Sequence, residues 1–380
     1  MVASAEVDLG NRIRDLRKRA SLSQEDLATA VRLDRTVVNK IESGVRKVTA
    51  LELSEIAVAL GVRMTSFFED PTPALVSHRS SQGLDTVDSK IDALLAAAAG
   101  DVEFLQQLGV PELAFDAVAE IESASIGHPQ TNSEADDLAA RARKLMGLDD
   151  EGPIKVLTAA VERLGLLAFT RDIGSDTADA GTVILRHGGV CLVNSHTKVG
   201  RRRLALAHEL GHYLVADDYT VDWRIDNHSA QSVPLESRLD RFARALLLPA
   251  APTVALWRKY LQHVDERAAA VRIASAYRVD MATLSRRLRE LGEVDSEVST
   301  LIRLARTTQA DILEFDLHLP LEELASTSVP RAFALAVLRL VRDERISRER
   351  ALDLLRGTFE ESDLPAVRER RADEIWNFVA

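Results

Sequence analysis

The segment that most constrains the fold of this chain is the pentapeptide His208-Glu209-Leu210-Gly211-His212. Apolar residues at helical spacing run through it from Leu204 to Val215, so we predict that it is part of an α-helix. Residues four positions apart lie on the same face of a helix, where both imidazoles can reach a single cation. The pentapeptide therefore predicts a helix that binds a metal ion.

Zinc suits these nitrogen ligands, and in catalytic sites it usually takes three protein ligands and leaves a fourth position for water. The third ligand has to come from elsewhere in the chain. We predict Glu236, because it opens a helix that runs to Leu248. Manganese or iron would tolerate the same His and Glu ligands, so the sequence leaves the identity of the metal open.

Two further carboxylates are assigned to this site. Glu209 lies between the histidines and can take a proton from the water, whose pKa zinc lowers to about 7. Asp240 lies one turn after Glu236 and can accept the outer N–H of His208 or His212, which fixes the tautomer of that ligand. We therefore predict Glu209 as the catalytic residue and Asp240 as a residue that orients a ligand.

A pentapeptide of this kind also occurs by chance, and its histidines would then be solvated on a surface helix. Three features favour the metal site. The helix is apolar before the motif, Gly211 lets another backbone or a substrate approach closely, and the helix of Glu236 follows after about one loop. Together these features make a metal centre the preferred interpretation.

Residues 8–68 form a run of five short amphipathic helices separated by turn signals. Ser23 is placed to cap the second helix and Asp34 to cap the third, which ends at Ser43-Gly44. The formal net charge of −11 argues against nucleic-acid binding, yet residues 1–70 carry eleven basic and eleven acidic side chains. The excess negative charge lies downstream, so DNA binding by this segment stays open.

The remainder of the chain mixes helices and strands. Residues 71–132 have a broken pattern and are interpreted as a helical spacer, either a solvated connector or a dimerisation hairpin. From residue 133 onward the pattern predicts a small antiparallel sheet, with helices at 135–146 and 154–164 and strands at 166–171, 182–185 and 190–193. Residues 267–291 resemble a second helix-turn-helix pair, which we interpret as structural packing in preference to a second DNA reader.

Composition excludes two other classes of protein. The one cysteine, Cys191, rules out an internal disulfide, and the N-terminus has no signal-peptide pattern. No stretch approaches the roughly 20 apolar residues that a membrane span requires. We therefore expect a cytoplasmic location and no membrane insertion.

Residues 133–291 closely resemble the ImmA/IrrE family of metallopeptidases. The resemblance rests on three segments: Val190-Cys191-Leu192-Val193-Asn194, residues 206–214 around the pentapeptide, and Glu236 through Asp240-Arg241-Phe242-Ala243 to Leu246-Leu247-Leu248-Pro249. It implies His208, His212 and Glu236 as ligands and Glu209 as the catalytic residue. The activity that it implies is cleavage of a DNA-bound repressor.

The sequence departs from the family pattern at two places. Asp240 stands where the family usually has Asn, which keeps a hydrogen-bond acceptor at that position. A further histidine that often follows the motif helix is absent, and Ala216-Asp217-Asp218 follow instead. Neither departure changes the ligand set that the resemblance implies.

Residues 8–68 resemble the lambda-repressor-like (Xre) helix-turn-helix domain. The matching segments are Ile13-Arg14-Asp15-Leu16-Arg17, Ser23-Gln24-Glu25-Asp26-Leu27-Ala28 and Val37-Val38-Asn39-Lys40-Ile41-Glu42-Ser43-Gly44. The third helix is expected in the major groove, with base edges read by Arg35, Thr36 and Asn39. Phosphate contacts are predicted for Gln24, Lys40, Arg46 and Lys47.

The alternative for these basic residues is a solvated helical face, and the complete five-helix pattern favours DNA binding over it. Modules of this type usually read two half-sites about one helical turn apart. A homodimer on a double-stranded DNA operator is therefore expected.

At 380 residues the chain exceeds what one hydrophobic core usually organises. We expect a mainly α fold with a small antiparallel sheet (α+β) in four segments. These are an Xre-type helix-turn-helix domain at 7–70, a helical spacer at 71–132, a zincin-like ImmA/IrrE metallopeptidase domain at 133–292 that includes the second helix pair, and a helical C-terminal domain at 293–380 that could bind a partner.

Two functions stay open. The first is a DNA-binding regulator with a zinc-dependent endopeptidase domain that cleaves a regulatory protein. The second is an autoregulating antitoxin or repressor of a toxin–antitoxin pair, in which the metallopeptidase fold acts as a sensor or as a platform that binds the cognate toxin.

Overall fold

The computed structural model describes residues 9–14, 16–17, 22–60, 64–67, 76–79, 89–115, 127–149, 152–175, 177–215, 232–317 and 323–366. The chain divides into two units, Met1–Thr72 and Pro73–Ala380. The finer division into four segments stays a prediction.

The N-terminal unit contains five helical elements, as the sequence predicts: residues 9–14 and 16–17, α1 (Gln24–Ala30), α2 (Arg35–Glu42), α3 (Ala50–Leu60) and the 3-10 turn Met64–Phe67. Ser23 caps α1 in a capping box with Asp26, which satisfies backbone N–H groups that the first turn leaves unpaired. Asp34 lies at the predicted position before α2, but its side chain forms no capping hydrogen bond. The core of the unit is formed by apolar residues from all five elements, among them Ile13, Leu27, Val38, Ile41, Ile56 and Phe67.

The second unit is organised around one four-stranded sheet. Its strands are β1 (Val76–Arg79), β2 (Leu166–Arg171), β3 (Ala180–Ile184) and β4 (Gly189–Asn194), in the spatial order β1-β3-β4-β2. The predicted hairpin at residues 187–189 joins β3 to β4, which pair in antiparallel fashion. The α+β fold class is therefore confirmed.

The sheet is mixed, whereas the sequence predicted an antiparallel one. Strand β1 pairs with β3 in antiparallel fashion, but β2 pairs with β4 in parallel. A turn signal fixes only the pairing of the two strands that it joins, so the hairpin determined β3 and β4 and said nothing about the neighbour of β2. Strands β2 and β4 are almost entirely buried, as is typical of parallel strands covered on both faces.

Alternate side chains of the sheet enter two hydrophobic cores. Leu166 and Cys191 belong to the first core, whereas Leu167 and Leu192 belong to the second. The first core also contains side chains from α5 (Asn132–Leu145), α6 (Leu157–Arg163), α7 (Val199–Val215), α8 (Ser232–Leu247), α9 (Ala250–Leu261), α10 (Glu266–Tyr277), α11 (Met281–Glu290) and α12 (Ser296–Leu304). The second contains side chains from α4 (Ser89–Gln107), the 3-10 turn Pro111–Leu113, α14 (Arg331–Arg342) and α15 (Arg348–Leu354). Two short elements, α13 (Gln309–Glu314) and the 3-10 turn Glu361–Asp363, complete the described fold.

Helix α4 is a core element, so the interpretation of its segment as a solvated connector is wrong. Ile91, Leu95, Ala98, Val102 and Leu105 recur every three or four residues and are fully buried. The Ala- and Asp-rich composition of the helix obscured this apolar stripe. Helix α4 and the C-terminal helices therefore share one core against the sheet.

Helices α10 and α11 form the second helix-turn-helix-like pair, and its apolar face is buried, while the preference for a structural role over DNA reading stays a prediction. Ile273, Leu284 and Leu288 are fully buried in the first core, and Val271 is also fully buried. None of the helices in the described part of the chain is both long and apolar enough to cross a membrane.

Candidate metal centre and DNA interface

The pentapeptide lies in the second half of α7, which the first core surrounds. From Leu204 to Val215 every side chain of this helix is buried except that of His212, which is partly exposed. A helix that packs on nearly all sides is held rigidly, and two ligand side chains on it keep a fixed geometry.

The two histidines and Glu236 converge on one point. His208 Nε2 lies 3.1 Å from His212 Nε2. Glu236 Oε2 lies 3.2 Å from His208 Nε2, and Glu236 Oε1 lies 3.3 Å from His212 Nε2. Of the described residues, these three form the group whose donor atoms lie within 4.8 Å of one another. Two imidazole nitrogens and a carboxylate in this arrangement can bind a divalent cation.

Gly211 allows the helix of Glu236 to approach α7. A Cβ atom at position 211 would lie 2.9 Å from Phe242 Cδ1 and 3.2 Å from Leu239 Cδ2, which is closer than packed side chains tolerate. The close approach that the sequence predicted at Gly211 is thus made by side chains of α8. This packing places Glu236, at the start of α8, opposite the two histidines.

Asp240 is paired with His208. The sequence had left open whether its partner is His208 or His212. Asp240 Oδ1 lies 3.0 Å from His208 Nδ1, so the carboxylate faces the ring nitrogen that points away from Glu236. Burial lowers the pKa of His208, but the carboxylates of Asp240, Glu236 and Glu209 raise it more, to about 9. Burial raises the pKa of Glu236, yet the two imidazoles outweigh burial and hold that pKa well below its usual range.

Glu209 differs from the other members of the site because no described residue forms a hydrogen bond with its carboxylate. The residue is 0% exposed, and neither carboxylate oxygen has a hydrogen-bond partner among the described residues. A buried carboxylate without a partner is costly, and native proteins rarely leave one unexplained. Together with the converging donors, this carboxylate fits a site that takes a cation and its bound substrate or water.

Cys191 lies on β4, on the side of the sheet that faces this core, and is fully buried. Burial, and then the negative charge of Glu209, raise the pKa of the Cys191 thiol well above its ordinary value. The thiol is therefore neutral, and its side chain is part of the first core.

The predicted base-reading residues share one exposed face of α2. Arg35 and Thr36 lie one turn before Asn39 and Lys40, and all four side chains are exposed. On the opposite face Val38 and Ile41 are buried in the core of the unit. The helix thus presents a polar surface that can enter a groove of DNA.

The other predicted phosphate contacts have partners within the unit. Gln24 donates to Glu42 Oε2 at 2.8 Å and lies 3.4 Å from Asn39 Oδ1. Arg46 pairs with Glu52 at 2.8 Å, while Lys47 is exposed. Contact of these three residues with phosphate stays a prediction.

Glu42 holds α2 to the first helical element of the unit, a role that we did not predict from the sequence. Glu42 is 1% exposed and accepts hydrogen bonds from Arg17 Nε at 2.6 Å and Arg17 Nη2 at 3.1 Å. Burial raises the pKa of Glu42, but Arg17 and Gln24 lower it more, and the net shift is downward. The signal was present in the sequence, because Glu42 follows the buried Ile41 and Val38 on the inner face of α2.

Two family models match the chain. The one described as helix-turn-helix matches residues 13–67, and the one described as IrrE N-terminal-like domain matches residues 161–289. The second match includes both histidines of the pentapeptide, Glu236 and Asp240.

The N-terminal unit is also similar to two controller proteins. "Control protein C.MunI" from Mycoplasma sp. is 38% identical over 66 residues, which are 17% of this chain and 89% of that protein. The crystal structure of the restriction-modification controller protein C.AhdI from Aeromonas hydrophila is 37% identical and is covered over 98% of its chain and 17% of this one, with a TM-score of 0.17. This chain therefore belongs to the Xre-like helix-turn-helix family through its N-terminal unit, a DNA-binding regulator domain, and residues 161–289 of its second unit are similar to the IrrE N-terminal-like domain.

Proposed function

We propose that this chain is a transcriptional regulator whose second unit is a zinc-dependent endopeptidase that cleaves a regulatory protein. His208, His212 and Glu236 bind the zinc ion, and Glu209 is the catalytic residue. The observation that carries the proposal is the convergence of these three donors beside a buried carboxylate that has no hydrogen-bond partner among the described residues. If Glu236 and the histidines formed only a structural ion pair, the fold would have no reason to bury Glu209 as a second carboxylate next to them.

Each side chain has a separate task. Zinc, when bound, supplies a positive charge that polarises a peptide carbonyl and activates water. Glu209 accepts the proton that the attacking water loses and can return it to the leaving amine. Asp240 Oδ1 lies 3.0 Å from His208 Nδ1 and favours the tautomer that carries its proton on Nδ1. The other ring nitrogen, Nε2, is then free to bind the metal ion.

The N-terminal unit brings this chemistry to a DNA operator. Arg35, Thr36 and Asn39 read base edges, because they share the exposed face of α2. Phosphate oxygens are held by Gln24, Lys40, Arg46 and Lys47. Two copies of the chain bind two half-sites as a homodimer in the cytoplasm.

The test of the endopeptidase is a search for newly formed peptide termini. The full-length protein is incubated with a proteome-derived peptide library, with zinc or with a chelator. We expect new N-termini only with wild-type protein and zinc. Equal cleavage by the Glu209→Gln variant would reject the catalytic role of Glu209.

The same experiment separates the proposal from its alternative. The substrate of the proposed activity is a regulatory protein, whereas an antitoxin would bind its cognate toxin without cleaving it. A wild-type protein that binds zinc and operator DNA but yields no new termini would favour the antitoxin or sensor function.

A further inference from the structure

Helix α8 carries a row of charged side chains that extends beyond the metal centre. Glu236, Asp240 and Arg244 follow one another at intervals of four residues, so they lie along one face of the helix. Glu236 faces both histidines, and Asp240 faces His208. Arg244, the third in the row, is 4% exposed and lies deeper in the core.

The guanidinium of Arg244 lies between two carboxylates and is bound mainly to one of them. Its Nε donates to Glu290 Oε1 at 2.9 Å, and its Nη2 lies 2.8 Å from the same oxygen. Its Nη1 lies 3.8 Å from Asp240 Oδ2, beyond hydrogen-bond distance. Glu290 therefore holds the guanidinium back from Asp240.

Glu290 is itself fixed, because α11 is anchored beside α8. Arg287, one turn earlier on α11, is 1% exposed and donates to the carbonyl of Leu248 at 3.0 Å. Arg287 also pairs with Asp136 at 2.9 Å and lies 3.6 Å from Glu290 Oε2. These contacts anchor α11, which carries Glu290, beside α8 and Arg244.

We infer that Glu290 is a positioning residue for the metal centre, acting on His208 through Arg244 and Asp240. A buried guanidinium requires a carboxylate partner. Besides Glu290, Asp240 is the carboxylate that lies near Arg244 in the described contacts. Without Glu290 the guanidinium closes on Asp240 and draws the negative charge of Asp240 away from His208 Nδ1. A ligand histidine that loses this support binds metal more weakly. The inference rests on the proposed role of His208 as a zinc ligand.

The test is a double-mutant cycle on zinc affinity in the full-length chain. Wild type, Glu290→Gln, Asp240→Asn and the double variant compete for zinc with a chromophoric chelator at pH 7. We expect Glu290→Gln to weaken zinc binding about tenfold. In the Asp240→Asn background the same substitution changes the affinity by less than about twofold, since both residues act through one path. Arg289→Gln, which removes a charge from an exposed position on the same helix, is the matched control and leaves the affinity unchanged.

Unchanged affinity in Glu290→Gln overturns the inference, and so does an equal loss in both backgrounds, which would indicate a general structural effect. Either result leaves zinc binding by His208 intact. A wild-type chain that binds no zinc contradicts the proposed function and the inference together. If Glu290→Gln does not fold, Glu290→Asp, which keeps the charge but withdraws it from Arg244 by one methylene, takes its place in the cycle with the same expectations.

Discussion

Two buried glutamates of this chain have opposite surroundings. Glu42 in the N-terminal unit is 1% exposed, and Glu209 in the second unit is 0% exposed. Glu42 accepts hydrogen bonds from Arg17 and Gln24. Both oxygens of Glu209 are without a hydrogen-bond partner in the described part of the chain. The contrast shows that burial alone does not identify a functional carboxylate.

The difference lies in what each carboxylate is paired with. A buried charge that is fully paired holds helices together, and its removal weakens the fold. A buried charge that the fold leaves unpaired is a cost that persists where chemistry requires it. We therefore propose a structural role for Glu42 and a catalytic role for Glu209.

The largest expected effect is on catalysis, through the Glu209→Gln variant. Removing a general base lowers turnover by about 100-fold to 10,000-fold. The melting temperature of the second unit should not fall, because the variant removes a buried carboxylate that has no hydrogen-bond partner among the described residues. Peptide cleavage and calorimetry check the two parts. A strong loss of stability would indicate that Glu209, like Glu42, has a structural role.

The Glu42→Gln variant is expected to show the reverse pattern. It leaves the Arg17 guanidinium without its carboxylate in a buried site, which costs about 3 kcal/mol of stability. Hydrogen exchange of residues 22–60 in the full chain measures the loss, and Glu52→Gln, at a more exposed pair with Arg46, is the matched control. Zinc affinity should stay unchanged. Protection equal to that of wild type would remove the structural role.

His208 and Glu42 should also contribute to stability with opposite pH dependence. The pKa of His208 is raised from 6.5 to about 9, so its protonated form stabilises the metal-free second unit below pH 6.5, and this contribution is lost as the pH rises through about 9. The pKa of Glu42 is lowered from 4.5, so its contribution is present above pH 4.5 and is lost as the pH falls below that value.

Zinc has to displace the proton that His208 carries, so the pH dependence of the zinc affinity reports the raised pKa of His208. Zinc affinity should rise by up to about tenfold per pH unit between pH 6.5 and 9. Chelator competition at three pH values in that range measures it. An affinity that does not change with pH would show that His208 carries no proton in the metal-free protein.

The smallest expected effect concerns the exposed face that Glu42 supports. Asn39→Ala should weaken binding to the selected operator by about 1–3 kcal/mol and relax the preference at one base pair, because a bidentate contact to adenine is lost. Binding of Lys47→Ala should weaken on all sequences alike, with a smaller salt dependence. Equal losses on specific and random DNA in both variants would place Asn39 at the phosphates.

The sequence predicted most of the local structure because its signals are local. The cap at Ser23, the hairpin at residues 187–189 and the helix of His208 each depend on neighbours within a few residues. The two histidines could be paired because their spacing alone places them on one face. The convergence of Glu236 was predicted from the order of the helices and from the family resemblance.

What the sequence did not predict depends on contacts between distant segments. The parallel pairing of β2 with β4 and the burial of α4 against the sheet are set by the tertiary fold. Glu290 lies 46 residues after Arg244, so no spacing rule could connect them. Arg244 itself could have been found, since it continues the four-residue interval of Glu236 and Asp240.

Diffraction at the zinc absorption edge from crystals of the zinc-loaded full-length protein would show whether His208, His212 and Glu236 together bind one zinc ion. We predict one strong anomalous peak that lies about 2.0–2.2 Å from His208 Nε2, His212 Nε2 and a carboxylate oxygen of Glu236. A peak elsewhere, or a peak at the histidines with Glu236 turned away from it, would show that these three residues do not form the proposed zinc site.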